Sequence, residues 1–205
     1  MSLQGLVIAV SGAASGIGLA TVRLLAQRGA EASKLRPAGA RCTAARTDVR
    51  SARDVDEWIE AGVEAFGRLD GAENCAGVMQ HSLVLAEMLR AGSSSMTPTN
   101  QSDADWGFVV DTNLGSTFRC MQARLAVVVD GGSIMNLTST AGVQGFAQDA
   151  AYCASKHTII GLTRAAAKER FGTADEVAQT IAFLLGPESN FTTGTVTAVD
   201  GGMTA

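Results

Sequence analysis

The stretch Leu6-Val7-Ile8-Ala9-Val10-Ser11-Gly12-Ala13-Ala14-Ser15-Gly16-Ile17-Gly18 decides how the chain begins to fold. Leu6 to Val10 is a short, unbroken apolar run, the pattern of a strand buried on both faces. Ser11 to Gly18 is a glycine turn spaced G-x-x-x-G-x-G. Ile17, Ala20, Val22, Leu24 and Leu25 then recur at helical spacing, and Gly29 ends the run. Strand, glycine turn and helix in that order open a βαβ unit. Such a turn offers backbone N–H groups and a helix N-terminus to an anion. A β-carbon at Gly12 or Gly16 would hold a pyrophosphate off the backbone, and Gly18 lets the helix pack tightly on the strand. Ser11 and Ser15 add hydroxyl donors. The bland alternative is a plain tight turn, but its position directly behind an N-terminal strand favours dinucleotide binding.

The pattern continues along the chain. Ser51 with Asp54 resembles a capping box ahead of Val55, Trp58, Ile59, Val63 and Phe66 on one helical face. Leu69 to Asn74 reads as a strand running into Asn74-Cys75-Ala76-Gly77. Ala91 to Ser102 is polar and breaker-rich, hence a surface loop. A long helix starts near Asp103 with Trp106, Val109, Val110, Asn113, Leu114, Phe118 and Met121. Gly132 to Leu137 predicts a strand flowing into Thr138-Ser139, and Ala150 to Lys168 a helix. Thr173 with Glu176 caps a further helix carrying Val177, Ile181, Leu184 and Leu185. Gly194 to Val199 predicts a last strand, stopped by Asp200-Gly201-Gly202. Alternating strands and helices point to an α/β chain: a Rossmann-like, doubly wound parallel sheet in three α/β/α layers, as a single domain over residues 1–205.

Composition narrows the function classes. Of 205 residues, 46% are hydrophobic and 18% charged, which excludes a wholly disordered chain. Twenty acids against sixteen bases give a net charge of −4, against the basic balance of a nucleic-acid or membrane binder. No apolar run reaches the roughly 20 residues of a membrane span. The N-terminus lacks a signal-peptide start, and Cys42, Cys75, Cys120 and Cys153 form no C-x-x-C pair. Reduced thiols in a cytoplasmic protein are therefore expected. His81 and His157 have no ligand cluster near them, so no metal is expected.

Tyr152 is the sole tyrosine, and Lys156, one of three lysines, follows it by four residues. At that spacing on a helix the two side chains share a face. A phenol near pKa 10 is a poor proton shuttle at neutral pH, and an ammonium beside it favours the phenolate. The pair suits general acid/base work between an alcohol and a ketone. Ser139 sits at the C-terminal end of a predicted strand, the edge where open α/β sheets bind ligands, and its hydroxyl can hydrogen-bond a substrate oxygen. Asn113 lies mid-helix, where asparagine is a poor helix former. Taken singly, each has an ordinary structural reading.

Taken in order, these residues resemble the short-chain dehydrogenase/reductase family. Ser11, Gly12, Ser15, Gly16, Ile17 and Gly18 fall in its cofactor glycine motif. Asp48 and Val49 resemble the pair that contacts the adenine ring. Asn74-Cys75-Ala76-Gly77 resembles its N-N-A-G element with cysteine in second place, so Asn74, Ala76 and Gly77 join the cofactor set. Asn113, Ser139, Tyr152 and Lys156 fall on its catalytic tetrad, and Thr193-Gly194 with Val199-Asp200-Gly201-Gly202 on its C-terminal signature. The resemblance implies NAD or NADP as cofactor, a small-molecule alcohol or ketone as substrate, and a homodimer or homotetramer pairing the helices of Asn113 and Tyr152. It implies that Tyr152 exchanges the proton and that Lys156 tunes it and holds the nicotinamide ribose. Ser139 would orient the substrate oxygen, and Asn113 would help hold a water leading from Lys156. A dinucleotide-binding regulator without turnover is the alternative on the same fold, and a pure assembly module a third.

Two family segments are missing. After Ser33 the chain omits the rest of the second strand, with the residue that chooses NAD or NADP, and most of the following helix. After Glu169 it omits the sixth strand, a Pro-Gly loop and the substrate-binding helices. In the family order 3-2-1-4-5-6-7 both strands are interior, and excising one strands buried N–H and C=O groups at roughly 1–3 kcal/mol each. The Ser33–Lys34 and Glu169–Arg170 junctions are therefore expected to hide omitted residues, with Cα separations beyond the roughly 3.8 Å of a trans peptide. Val143, Gln144, Met79 and His81 are candidates to line a substrate mouth.

Overall fold

The computed structural model describes residues 3–32, 43–79, 101–147, 149–167, 170 and 172–204. The junctions at Ser33–Lys34 and Glu169–Arg170, the bulk of the Ala91–Ser102 loop, Cys42 and His81 lie outside them. The chain falls into two compact units, Met1–Ile160 and Gly161–Ala205.

In the first unit, β1 (Val7–Val10) leads through the glycine turn into α1 (Gly16–Gln27) and then β2 (Glu31–Ala32). Next come α2 (Ala52–Phe66) and β3 (Leu69–Asn74). Ser51 caps α2 as its spacing suggested: its Oγ accepts the Asp54 N–H at 3.2 Å. Gly67, at φ 79°, ends that helix in a left-handed turn. α3 (Asp103–Val110), a π-turn (Asp111–Gly115) and α4 (Ser116–Leu125) together make the long helix, followed by β4 (Val128–Asn136), a 3-10 turn (Thr140–Gly142) and α5 (Ala150–Ala165).

The four strands are parallel in the order β2-β1-β3-β4, so the fold is α/β and Rossmann-like. The chain winds outward from β1 to β2, then crosses back to β3. The loops after β1 and β3 therefore part at the switch point, where such sheets bind ligands. β3 is buried along its whole length. Val10, Ala13 and Val22 form a core cluster against Ile8 and Leu25. Asp70 clamps β1 to β3: its Oδ2 accepts the Val7 N–H at 3.0 Å, while Arg68 Nε forks onto both carboxylate oxygens at 2.9 and 3.0 Å. Burial works against that carboxylate, but the two donors prevail and hold its pKa below the ordinary value.

In the second unit, α6 (Ala174–Leu185) carries the expected cap. Thr173 Oγ1 accepts the Glu176 N–H at 3.3 Å, and Glu176 Oε2 accepts the Thr173 N–H at 2.8 Å. The helix has no buried residue. The strand expected at Gly194–Val199 is absent: these residues join no ladder, and Val196 is 99% exposed. A strand exists only through its neighbour, and no described stretch pairs with these residues. Among the described residues no helix is long and apolar enough to cross a membrane, and no group of three or more His, Cys, Asp or Glu could hold a metal ion.

Candidate functional site

The glycine turn needs its glycines for three different reasons. Gly12 has φ 69°, and a β-carbon there would lie 2.8 Å from the Ala76 backbone nitrogen. Its bareness lets the β1 loop nest against the β3 loop. Gly18 faces the other way: its β-carbon would lie 2.6 Å from the Gly12 carbonyl oxygen, the close helix–strand approach read from the spacing. Gly16, at φ 54°, has open space where a side chain would go.

The two serines divide. Ser15 is the N-cap of α1, exposed and without a side-chain cap bond. Ser11 turns inward, at 5% exposure. Its Oγ accepts the N–H groups of Cys75 and Ala76 at 3.1 and 3.2 Å, and its own N–H donates to the Glu73 carbonyl at 3.0 Å. The Ser11 hydroxyl, which the sequence offered as a donor to a ligand, braces the two loops. Ile17, in the first turn of α1, is 59% exposed.

Beside the turn lies a cavity of about 210 Å³, lined by Val10 and Ser11–Ala14 on one side and by Ala44–Thr47, Val49 and Trp58 on the other. Glycine backbone, an open helix N-terminus and an apolar wall with Arg46 fit the phosphate and adenosine half of a dinucleotide. Val49 lines this cavity. Asp48 turns to Arg50, whose Nε and NH2 reach its carboxylate at 2.9 and 2.7 Å, and this pairing pulls its pKa down to about 2.

Asn74, expected at the cofactor, directs its side chain into the protein interior. Its Nδ2 donates to Asn136 Oδ1 at 2.6 Å, and its Oδ1 accepts from Arg124 NH1. Arg124 is 0% exposed and also donates to the Glu73 carbonyl at 3.2 Å. Its guanidinium lies 4.9 Å from the Trp58 ring centroid, while its Nε and NH2 find no hydrogen-bond partner among the described residues. Burial lowers its pKa. Glu73 is 3% exposed, and burial raises its pKa. Cys75, in the second place of the N-N-A-G-like element, also has a raised pKa, first from burial and then from Glu73.

Gly77 is the gap beside which two of the tetrad candidates, Asn113 and Lys156, lie. A β-carbon there would lie 3.2 Å from Asn113 Oδ1 and 3.8 Å from Lys156 Nζ. Asn113 sits on the π-turn, 0% exposed. Its Oδ1 accepts the Val78 N–H at 2.7 Å, and its Nδ2 donates to Val78 O at 2.9 Å and Ser155 Oγ at 3.1 Å. Lys156 is 6% exposed and donates from Nζ to the Leu137 carbonyl at 2.8 Å. Burial lowers its pKa from the ordinary 10.5. Its ammonium lies 5.7 Å from the Tyr152 ring centroid, so the i, i+4 pair shares a face. Ser139 caps the 3-10 turn, its Oγ accepting the Ala141 N–H at 3.2 Å. Among the described residues no hydrogen bond joins the Tyr152 hydroxyl to Ser139 or Lys156. Of the mouth candidates, Val143 is 74% and Met79 43% exposed.

The sequence reading missed Ser155, which donates to the Tyr152 carbonyl at 2.7 Å while receiving Asn113, and so ties α5 to the π-turn. It also missed Arg124 as a buried cation and Trp58 as cavity wall. The lone arginine among the apolar residues before β4 was the available signal for Arg124.

Comparison with known proteins agrees with this geometry. The short chain dehydrogenase family matches residues 6–178, and the enoyl-(acyl carrier protein) reductase family matches residues 168–204. The chain is 36% identical to the short-chain dehydrogenase/reductase ABA4 of Pyricularia oryzae, covering 98% of this chain and 93% of that protein. It is 31% identical to the 2,5-dichloro-2,5-cyclohexadiene-1,4-diol dehydrogenase of Sphingobium indicum, over 99% and 98%. The first alignment runs over 262 positions against 205 residues here, so the relative carries segments that this chain lacks. Among solved structures, a short-chain dehydrogenase/reductase of Serratia marcescens superposes with TM-score 0.70 at 27% identity, covering all of both chains. Carveol dehydrogenase of Mycobacterium avium, solved with NAD, gives 0.67 at 27% identity, over 80% of this chain and 65% of that one. Parallel sheet, glycine turn and family match converge: the chain belongs to the short-chain dehydrogenase/reductase family, oxidoreductases that use NAD(P).

Proposed function

We propose that this protein interconverts a secondary alcohol and a ketone with NAD or NADP, using Tyr152 as the general acid/base. The observation that carries the reading is the seat of Lys156. A nearly buried ammonium is pinned to the Leu137 carbonyl on the same helix face as the chain's sole tyrosine. Such a cation stabilises negative charge on the phenol oxygen while its proton is away. The bound nicotinamide supplies or accepts the hydride. In reduction Tyr152 gives its proton to the substrate oxygen, and in oxidation it takes one. Ser139 Oγ already accepts from Ala141, which leaves its own hydrogen free to donate to that oxygen. Asn113 and Ser155 act as positioning residues, holding the Val78 segment and α5 around Gly77. Ser15, Gly16, Ile17 and Gly18 would bind the pyrophosphate at the α1 N-terminus, and Val49 would face the adenine.

A second reading, dinucleotide binding without turnover, draws on the missing substrate segments and on the absence of a Tyr152–Ser139 bond. One experiment separates the two. Nicotinamide absorbance is followed with a panel of secondary alcohols and ketones for the wild type and Tyr152→Phe, with dinucleotide binding measured by calorimetry. The proposal expects turnover that drops about 10²–10⁴-fold in the variant while binding persists. Turnover unchanged by Tyr152→Phe defeats the acid/base role, and binding with no turnover from any substrate gives the second reading.

A further inference from the structure

Three residues lie between β4 and the 3-10 turn, and two of them bond the same lysine. Leu137 is fixed at the sheet, its N–H donating to the Asn74 carbonyl at 3.0 Å. Its own carbonyl accepts Lys156 Nζ at 2.8 Å. The Thr138 hydroxyl donates to the backbone carbonyl of Lys156 at 3.0 Å. Ser139, the third, caps the turn. Lys156 is thus held at both ends, tip and backbone, by consecutive residues.

The two bonds do different work. A lysine side chain is a flexible four-carbon stem, and a bond at its tip alone leaves the root free to shift. The bond from Thr138 fixes the root. The Lys156 carbonyl lies inside α5, and its second lone pair lets it take a hydroxyl beside its helix bond. If α5 slid along the strand end, Nζ would have to leave either Leu137 or the Tyr152 ring, since it reaches both from one root. Gly142 makes room for the Thr138 bond. A β-carbon there would lie 2.5 Å from Thr138 Oγ1 and 3.0 Å from the Lys156 carbonyl oxygen. The bare position lets the turn close over the bond, with the Gly142 N–H donating to the Ser139 carbonyl at 2.8 Å.

We propose that Thr138 is a positioning residue: its hydroxyl fixes α5 against the strand end that carries Ser139, and so keeps the Lys156 ammonium beside Tyr152. The role rests on the reading of Tyr152 and Lys156 as an acid/base pair. Thr138 touches no reacting atom and acts through Lys156.

The test uses the full chain with Thr138→Val, which removes the hydroxyl at nearly constant shape, and Thr138→Ser, which keeps it. One readout is turnover with an alcohol or ketone from the panel, resolved into kcat and KM. The other needs no turnover: alkaline titration of Tyr152, the sole tyrosine, followed by the ultraviolet band of tyrosinate. In Thr138→Val, kcat is expected to fall about 10-fold or more with KM for the substrate within about twofold. The phenol is expected to titrate at least about half a pH unit higher, because the cation that favours phenolate is less well placed. Thr138→Ser is expected to match the wild type in both. On a Lys156→Met background, Thr138→Val is expected to move the titration no further. Gly142→Ala, which crowds the hydroxyl from the other side, is expected to shift it the same way as Thr138→Val. No variant changes Cys75, the neighbouring titratable group that acts on Lys156. The proposal is overturned by a titration that stays at the wild-type midpoint in Thr138→Val or, where that variant does not fold, in Gly142→Ala. A Thr138→Val shift that persists in full without Lys156 also overturns it. Turnover that survives Tyr152→Phe defeats the acid/base reading instead, and the titration still decides whether Thr138 places the ammonium.

Discussion

The β1–β3 seam and the stretch from Gly161 onward make opposite use of family-like sequence. At the seam every short motif finds its complement. Gly12 nests on Ala76, Ser11 braces Cys75 and Ala76, Asp70 grips Val7, and Arg124 caps Glu73 and Asn74 from beneath. From Gly161 the motifs are equally recognisable, yet α6 has no buried residue and Gly194–Val199 pairs with no described residue. The difference teaches that a motif settles wherever its partner stretch is present, even one sixty residues away. A strand is a relation between two stretches, and it does not survive when one of them is missing.

The sharpest way to break the seam is Arg124→Ala. It empties a fully buried position, leaves Asn74 Oδ1 without its Arg124 donor and leaves the Glu73 carbonyl to Ser11 alone, a loss of about 3–5 kcal/mol in denaturant unfolding. Retention of wild-type stability would mean that the buried cation holds nothing together. Gly12→Ala comes next, at about 2–4 kcal/mol, from left-handed strain and the clash with Ala76. Gly16→Ala, with open space around it, is expected to cost about 1–2 kcal/mol.

Asp70 sharpens the comparison through pH. Its folded pKa is depressed, so its contribution is present above the unfolded value and is lost as pH falls through the folded one. Asp70→Asn should therefore cost about 1 kcal/mol at neutral pH and progressively less below the ordinary carboxylate value of 3.8, flattening the acid limb of stability. An acid limb as steep as the wild type's would remove Asp70 from the account. The smallest effect belongs to the other region. Phe191→Ser, at a side chain 98% exposed, should move the unfolding midpoint by less than about 0.5 kcal/mol. A larger loss would show that this face is covered in solution.

These contrasts track what could be read from residues alone. β1, the glycine turn, β3 and the caps at Ser51 and Thr173 were legible because each is written within a few neighbouring positions. The i, i+4 relation of Tyr152 and Lys156 was legible for the same reason. The inward turn of Ser11 was not, since its partners lie more than sixty residues away on another loop. Nor was the π-turn under Asn113, whose amide is held by Val78 and Ser155 rather than by its own helix. Asn74 matched a cofactor motif, yet its side chain is claimed by Asn136 and Arg124. The strand expected at Gly194–Val199 is absent among the described residues although its β-branched composition favours one, because propensity does not name a partner stretch.

Trp58 stands on the cavity wall with a buried guanidinium against its ring. An indole so placed is an optical gauge built into the protein. Its emission colour reports the fixed charge behind it and the polarity of the cavity in front. With Trp106, the only other indole, changed to phenylalanine, quenching of that light on titration with a dinucleotide would count occupied clefts directly, with no substrate and no turnover required.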